Sequence, residues 1–469
     1  MNAGLLFALL LPLRAPAADD ASARARRVEN GLLPAVTIKG QAPPRFGIEE
    51  RMRLYGVPGV SVAFIDGGKV AWTRAYGYAD AAATTRVTPE TLFQAASISK
   101  PVAAAAALRL VERGALALDE DVNAKLRSWK VPDNGFTKDQ KVTLRRILSH
   151  SAGLGVHGFG GYAAGEPVPS LLEVLDGKKP ANSDPIRVEA APGSVTSYSG
   201  GGFTVMQLLM TEASGEPFPR LLRELVLIPA GMTQSSFEQP LPDARRARAA
   251  APKGGTHTYP ELAAAGLWTT PGDLARFAIA IQDSYLGKKG SLLSRTTARE
   301  MLTDQREGRG LGFGLTPGTP PRFSHNGLNF GFTCVLHAYA EDGGQGIVVM
   351  TNTEAPGALI DEIVRAAAAE YGWKDLLPAE RTPGPYPAAL AGLAGVYAAD
   401  KNAPYAVTVK DGKVWLKAGE DAPLELLPGA DGRFFVMTKT ATFRFIGDGA
   451  AARLVVEGGK RVDAPRVAQ

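Results

Sequence analysis

A single cysteine, Cys334, among 469 residues rules out a disulfide within the chain. It sits in an apolar strand pattern and reads as a small buried hydrophobe. Histidine is also scarce, with five, and no His-x-His, His-x-x-x-His or Cys-x-x-Cys occurs. No metal site and no cofactor are therefore expected. Charge of one sign is lacking too, since 52 Lys and Arg face 47 Asp and Glu for a net +5. The densest basic group, Arg245, Arg246 and Arg248, has no interleaved aromatics, so no nucleic-acid partner is expected. Residues 5–13 form a short apolar stretch, too short to cross a bilayer, followed by the small residues Ala15-Pro16-Ala17 at the spacing of a signal-peptidase site. Residues 1–18 read as a secretory signal peptide, although no Lys or Arg precedes the apolar stretch. The expectation is a periplasmic or secreted protein with no stable membrane anchor.

What is present is ordinary in bulk, 45% hydrophobic and 21% charged, and long enough for two domains. The chemistry is local. In Phe93-Gln94-Ala95-Ala96-Ser97-Ile98-Ser99-Lys100-Pro101 a serine precedes a lysine by three residues at the start of an alanine- and leucine-rich helix. That spacing puts a hydroxyl and an amine on one helical face, a nucleophile beside its base. The helix N-terminus favours an oxyanion and a neutral amine. A Ser N-cap beside a solvated Lys explains the tetrapeptide alone equally well, so the remaining motifs decide.

The segment Pro192-Gly193-Ser194-Val195-Thr196-Ser197-Tyr198-Ser199-Gly200-Gly201-Gly202 places Tyr198 in a glycine-bounded turn before a helix, where its phenol can exchange protons. In Arg322-Phe323-Ser324-His325-Asn326-Gly327-Leu328-Asn329, Gly327 lets another chain or a substrate come close to the backbone. The N–H of Leu328 is a candidate oxyanion donor. His150 reads as a structural hydrogen-bonding group at a helix end, His157 as part of a flexible glycine-rich loop, and His337 as a strand residue.

In order and spacing, these segments together resemble the penicillin-binding-protein and class C β-lactamase superfamily of serine hydrolases, with its DD-peptidases, D-aminopeptidases and esterases. Residues 142–154 and 265–277 resemble further segments of that family, and the likeness spans about residues 45 to 373. It implies Ser97 as acylated nucleophile, Lys100 as the amine that takes its proton, and Tyr198 as second proton-transfer group. It further implies an oxyanion hole from the N–H groups of Ser97 and Leu328, with His325, Asn326 and Gly327 on the substrate-binding strand. His325 stands where many β-lactamases carry the lysine of Lys-Thr-Gly. The family triplet Tyr-x-Asn reads Tyr198-Ser199-Gly200, so a side-chain amide for the substrate carbonyl is missing.

The fold implied is α+β, an antiparallel sheet flanked by helices with a helical insert. The hairpin pattern at 60–73, the strands at 323–339 and 346–352, and a closing helix at 360–371 agree with it. Residues 19–45 read as an N-terminal extension, 46–375 as the hydrolase domain, and 376–388, with Pro378, Pro383, Pro385 and Pro387, as a stiff linker. Hairpin signals at Asp411-Gly412, Asp431-Gly432, Asp448-Gly449 and Gly458-Gly459 mark 389–469 as a small all-β, barrel-like domain that resembles the lipocalin-like modules of some family members. The expected activity is acyl-enzyme hydrolysis of a small ester, amide or peptide, with weak or no β-lactamase activity. The alternative is a non-enzymatic protein of the same fold that binds cell-wall peptide or β-lactam. The oligomeric state is not readable.

Overall fold

The structure, a computed structural model, describes residues 21–467 apart from 319, 342, 401–403, 420–421 and 460. The expected signal peptide, 1–18, lies outside the described residues. Along the chain run α1 (Ala21–Glu29), β1 (Val36–Ile38), α2 (Ile48–Tyr55), and the hairpin β2 (Gly59–Asp66) and β3 (Lys69–Gly77). Then come α3 (Ser99–Glu112), α4 (Gly200–Ser214), α5 (Leu262–Ala265) and α6 (Pro271–Leu286). Strands β4 (Gly314–Thr316), β5 (Arg322–Asn329), β6 (Phe332–Tyr339) and β7 (Gly346–Thr351) precede α7 (Leu359–Tyr371) and β8 (Ala379–Arg381).

Six strands form one antiparallel sheet in the order β3-β2-β7-β6-β5-β4, so both ends of the hydrolase region meet at the β2–β7 pair. Both faces of that pair are buried, and alternation sorts its side chains. Val60, Val62, Phe64, Ile347 and Val349 enter a core with residues of α1, α2 and α7. Ala63, Ile65, Val348 and Met350 enter the larger core that holds α3, α4 and α6. The sheet is thus the middle of three layers. Helix α3 is apolar nearly all round, with Val102 through Leu108 fully buried, as a helix at the centre of a domain must be.

Residues 19–45 do not trail away from this body. Ala25 and Val28 of α1, with Leu32, pack in the α7 core. Arg24 and Arg27 pair with Glu370, and the Arg24 guanidinium lies 4.0 Å over the Tyr371 ring. Strand β1 pairs in parallel with β8, so part of the proline-rich 376–388 segment is tied to the domain rather than free.

Beyond it, β9 (Gly395–Tyr397), β10 (Tyr405–Lys410), β11 (Lys413–Ala418), β12 (Leu424–Pro428), β13 (Phe434–Phe435), β14 (Thr442–Ile446), β15 (Arg453–Glu457) and β16 (Val462–Pro465) form an up-and-down antiparallel sheet. A bridge between Tyr397 and Arg466 brings its ends together, giving a nearly closed barrel. Each expected turn joins consecutive strands. At Asp411-Gly412 both residues have positive φ, 52° and 71°, as a two-residue hairpin loop demands. Among the described residues no helix is long and apolar enough to cross a membrane.

One buried ion pair fastens α2 to α7 behind the sheet. The Arg51 guanidinium grips the fully buried Glu362 carboxylate with bonds of 2.7 and 2.5 Å, and the Tyr55 hydroxyl donates to it at 2.8 Å. Removing one partner leaves the other charge buried and unpaired, so Glu362→Ala should cost about 3–5 kcal/mol. Arg51→Met with Glu362→Leu should cost much less than the sum of the single changes, measured by urea unfolding.

Candidate active site

Ser97 stands on a single 3₁₀ turn, Ala96–Ile98, that runs directly into α3. Its side chain is half-buried, while Lys100, on the first turn of α3, is 2% exposed. The Lys100 Nζ lies 3.0 Å from Ser97 Oγ and donates to the Ala264 carbonyl of α5 at 2.8 Å. It also sits 5.0 Å from the centre of the Tyr198 ring and 5.7 Å from that of Phe203. Burial pushes Lys100 below the ordinary lysine range, against the smaller opposing pull of the Tyr198 phenol beside it. A neutral amine so placed keeps a lone pair with which to take the Ser97 proton.

Tyr198 is held by its loop. The Ser197 N–H donates to the His150 carbonyl at 2.8 Å, and the Ser199 N–H donates to His150 Nδ1 at 3.1 Å. The His150 ring lies 4.3 Å from that of Tyr198. Desolvation first, then the Lys100 charge, keeps His150 well below the usual imidazole value and hence neutral. The end-of-helix reading of His150 placed it correctly beyond the short helix Leu144–Leu148. Its contact with Tyr198 was not foreseen, because the two lie far apart in sequence. His157 is no loose loop residue either, since its Nδ1 donates to the Tyr198 carbonyl at 2.5 Å.

The opposite wall is β5. Phe323, His325, Gly327 and Asn329 are buried and Asn326 and Leu328 are exposed, a strict alternation. Strand β4 pairs only with residues 322–324, so the edge of β5 from His325 to Asn329 has no strand on that side among the described residues. The Ser97 turn packs on the buried face of β5 and β6, over Gly327 and Cys334. A Cβ at Gly327 would lie 2.3 Å from the Ala95 carbonyl oxygen and 3.0 Å from Ala96 Cβ. The close approach that Gly327 permits is therefore that of the chain's own nucleophile turn. Cys334, opposite Gly327 on β6, is buried as expected and its Sγ contacts the Ala95 carbonyl at 3.1 Å. His325 is pushed down to about 3 by burial, with the Lys100 charge adding to it, and its Nδ1 donates to the Asn326 carbonyl at 2.6 Å. It contributes no positive charge, unlike a lysine there. His337 lies on β6 and accepts from Arg322 at 2.8 Å.

Ser97, Lys100, Tyr198 and His325 are thus brought together, with Lys100 in reach of each. The Ala264 carbonyl is a partner the motifs could not reveal, because a carbonyl leaves no mark on the residue type. Among the described residues no group of three or more His, Cys, Asp and Glu could hold a metal ion.

Comparison with known proteins bears on the family and the fold. The family model described as Beta-lactamase matches residues 48–370. The chain is 25% identical to the putative penicillin-binding protein PbpX of Bacillus subtilis over 66% of this chain and 73% of that one. It is 31% identical to the esterase EstB of Burkholderia gladioli, over 38% of this chain and 46% of the esterase, so it spans under half of that relative. Among solved structures, the octameric penicillin-binding protein homologue from Pyrococcus abyssi superposes with TM-score 0.56 at 20% identity, covering 89% of this chain and 98% of that one. SurE with D-Leu superposes with TM-score 0.54 at 23% identity, covering 90% and 97%.

The depressed Lys100 value carries a pH dependence. A lysine whose value is lowered stays neutral to lower pH, so Ser97 reactivity should rise with pH through that lowered value and level off before pH 10. The rate of phosphonylation by a fluorophosphonate from pH 5 to 10 measures it. A rate still climbing without a plateau at pH 10, as a lysine at its ordinary value of 10.5 would give, would refute a desolvated base.

Proposed function

Because the chain belongs to the beta-lactamase family and is a serine hydrolase, we propose that it cleaves a small ester or amide through an acyl-enzyme at Ser97. The observation that carries this reading is the 3.0 Å approach of a fully desolvated lysine amine to an accessible serine hydroxyl at a helix start.

In this reading Ser97 Oγ attacks the acyl carbonyl and its proton passes to Lys100 Nζ. The oxyanion accepts from the N–H groups of Ser97 and Leu328, at the helix start and on the free edge of β5. Collapse breaks the bond to the leaving group, which takes a proton from the Tyr198 hydroxyl, and Lys100 restores that proton. Water then attacks the acyl-enzyme and passes one proton, by way of the Tyr198 hydroxyl, to neutral Lys100; as the acyl–Oγ bond breaks, Lys100 returns that proton to Ser97 Oγ and the acid is released. His150 and His325, both neutral, transfer no proton here; they hold the Tyr198 loop and the β5 edge.

The substrate class follows from the relatives and the missing amide. A chain similar to a named esterase and, at 26% identity, to the D-alanyl-D-alanine-carboxypeptidase/endopeptidase AmpH of Escherichia coli acts on esters or D-amino-acid amides. With Gly200 in place of an amide, turnover of β-lactams is weak or absent.

A fluorophosphonate probe followed by peptide mass spectrometry should find label on Ser97, and Ser97→Ala should abolish both label and ester hydrolysis with the fold retained. Lys100→Ala and Tyr198→Phe should each lower kcat by about 10²–10⁴, the range for a lost proton-transfer group. No label on the wild-type chain would favour a non-enzymatic binding protein of this fold.

A further inference from the structure

We propose that Phe159 determines acyl-group specificity: its ring takes the space of the side chain that Gly200 lacks, making the acyl side of the cleft apolar and selecting small unfunctionalised acyl groups over acylamino ones. The proposal rests on Ser97 being the acylated residue.

Gly200 is the first residue of α4, two residues beyond Tyr198. Its backbone is not in the left-handed region, so no turn requires glycine there. Space does. A Cβ at this position would lie 3.0 and 3.5 Å from the Phe159 ring and 3.2 Å from the His157 carbonyl oxygen. A side chain at this position would need the Phe159 ring to give way by a few tenths of an ångström.

The loop that carries Phe159 is fixed rather than adaptable. The Gly200 N–H donates to the His157 carbonyl at 3.2 Å, and the Gly201 N–H to the Val156 carbonyl at 2.9 Å. The Ser199 hydroxyl donates to the Gly155 carbonyl at 2.8 Å, and His157 donates to the Tyr198 carbonyl. The glycines let this loop lie against the helix start, since a Cβ at Gly201 would come within 2.7 Å of the Gly155 carbonyl oxygen. The Tyr198 and Phe159 segments are therefore tied by one network, and the Phe159 ring stays partly exposed.

The same rim continues as an apolar wall. His257 donates from Nδ1 to the Gly160 carbonyl at 2.8 Å and stacks flat on Phe330, 4.0 Å away and 4° from parallel, at the tip of the β5–β6 hairpin. Two buried amides at this end of the site are engaged within the protein: Asn329 donates to Gln94 at 2.7 Å and to the Ala265 carbonyl, while Gln94 donates to the His257 carbonyl at 2.8 Å. An acylamino carbonyl reaching position 200 would meet the Phe159 ring where a side-chain amide is lacking, whereas a short alkyl acyl group would leave nothing unpaired there.

The test compares kcat/KM on nitrophenyl butyrate and on a chromogenic cephalosporin, whose side chain is acylamino. The full-length wild type, Phe159→Ala, Phe159→Leu, Gly200→Asn and the double variant Phe159→Ala/Gly200→Asn are used, each checked by thermal melting and by fluorophosphonate labelling of Ser97. The wild type should favour the butyrate, and Phe159→Ala should raise its KM about tenfold while Phe159→Leu keeps most of the preference. Gly200→Asn alone should impair both substrates. The double variant should shift the ratio toward the cephalosporin by about tenfold more than the product of the single changes. Labelling with an unchanged KM in Phe159→Ala, or a cephalosporin gain from Gly200→Asn alone that equals that of the double variant, would overturn the role of Phe159. Absence of wild-type labelling would overturn the acyl-enzyme reading instead.

Discussion

Burying an amine is the constraint around which the rest of this molecule is arranged. Lys100 is 2% exposed on the inner face of a helix whose next seven residues beyond Pro101 have no measurable exposure. A charged ammonium in such a place is costly unless it is paired, and among the described residues no carboxylate pairs with it. What surrounds Nζ is a hydroxyl, a carbonyl and two aromatic rings, a setting that holds an amine without stabilising a full charge. The same desolvation keeps His150 and His325 neutral, and whatever charge Lys100 carries pushes both further that way. A fold that placed ionised carboxylates in these positions would raise Lys100 toward its solution value.

That constraint explains where the backbone is strained. Ala96, just before Ser97, has φ of 48°, and His150, which holds the Tyr198 loop, has φ of 56°. Neither is glycine, and left-handed conformations cost free energy for residues with a Cβ. Both are kept in place by packing from outside their own loops. Gly327 presses on Ala95 and Ala96 from the buried face of β5, and His150 is locked by two bonds to the Tyr198 segment. The positions of Ser97 and Tyr198 are therefore set by neighbours distant in sequence.

The division between what could and could not be read from the sequence follows from this. Ser97, Lys100, Tyr198 and the His325-Asn326-Gly327 strand were visible because each is a side chain, or an absence of one, at a recognisable spacing. Five of the six strands of the hydrolase sheet and all four barrel turns were visible because alternation and glycine-containing dipeptides are local signals; the three-residue edge strand β4 is too short to show a pattern. The Ala264 carbonyl and the Nδ1 acceptor of His150 were not, since both act through atoms whose partners are fixed only by tertiary packing. Composition marked residues 19–45 as an N-terminal extension but did not show how its described part packs: Ala25, Val28 and Leu32 enter the α7 core, and Arg24 and Arg27 reach Glu370 at the far end of the domain.

The attachment of the barrel turns on the same N-terminal segment. Ala35 and Val36 pack with Phe435, and the Val36 N–H donates to the Met437 carbonyl at 3.1 Å. Just upstream, Leu33 bonds to the Glu362 carbonyl of α7, so this stretch runs along the helical layer behind the sheet. Ser97 and Lys100 belong to the layer in front of it, with α3. The contacts that hold the barrel are thus made across the sheet from the catalytic groups, and β1 pairing with β8 closes the path from α1 to the barrel into one continuous strap. A segment that seemed an appendage in composition is the piece through which the C-terminal domain is joined to the α7 layer, and the packing of Ala25, Val28 and Val36 follows from that duty rather than from the chemistry at Ser97.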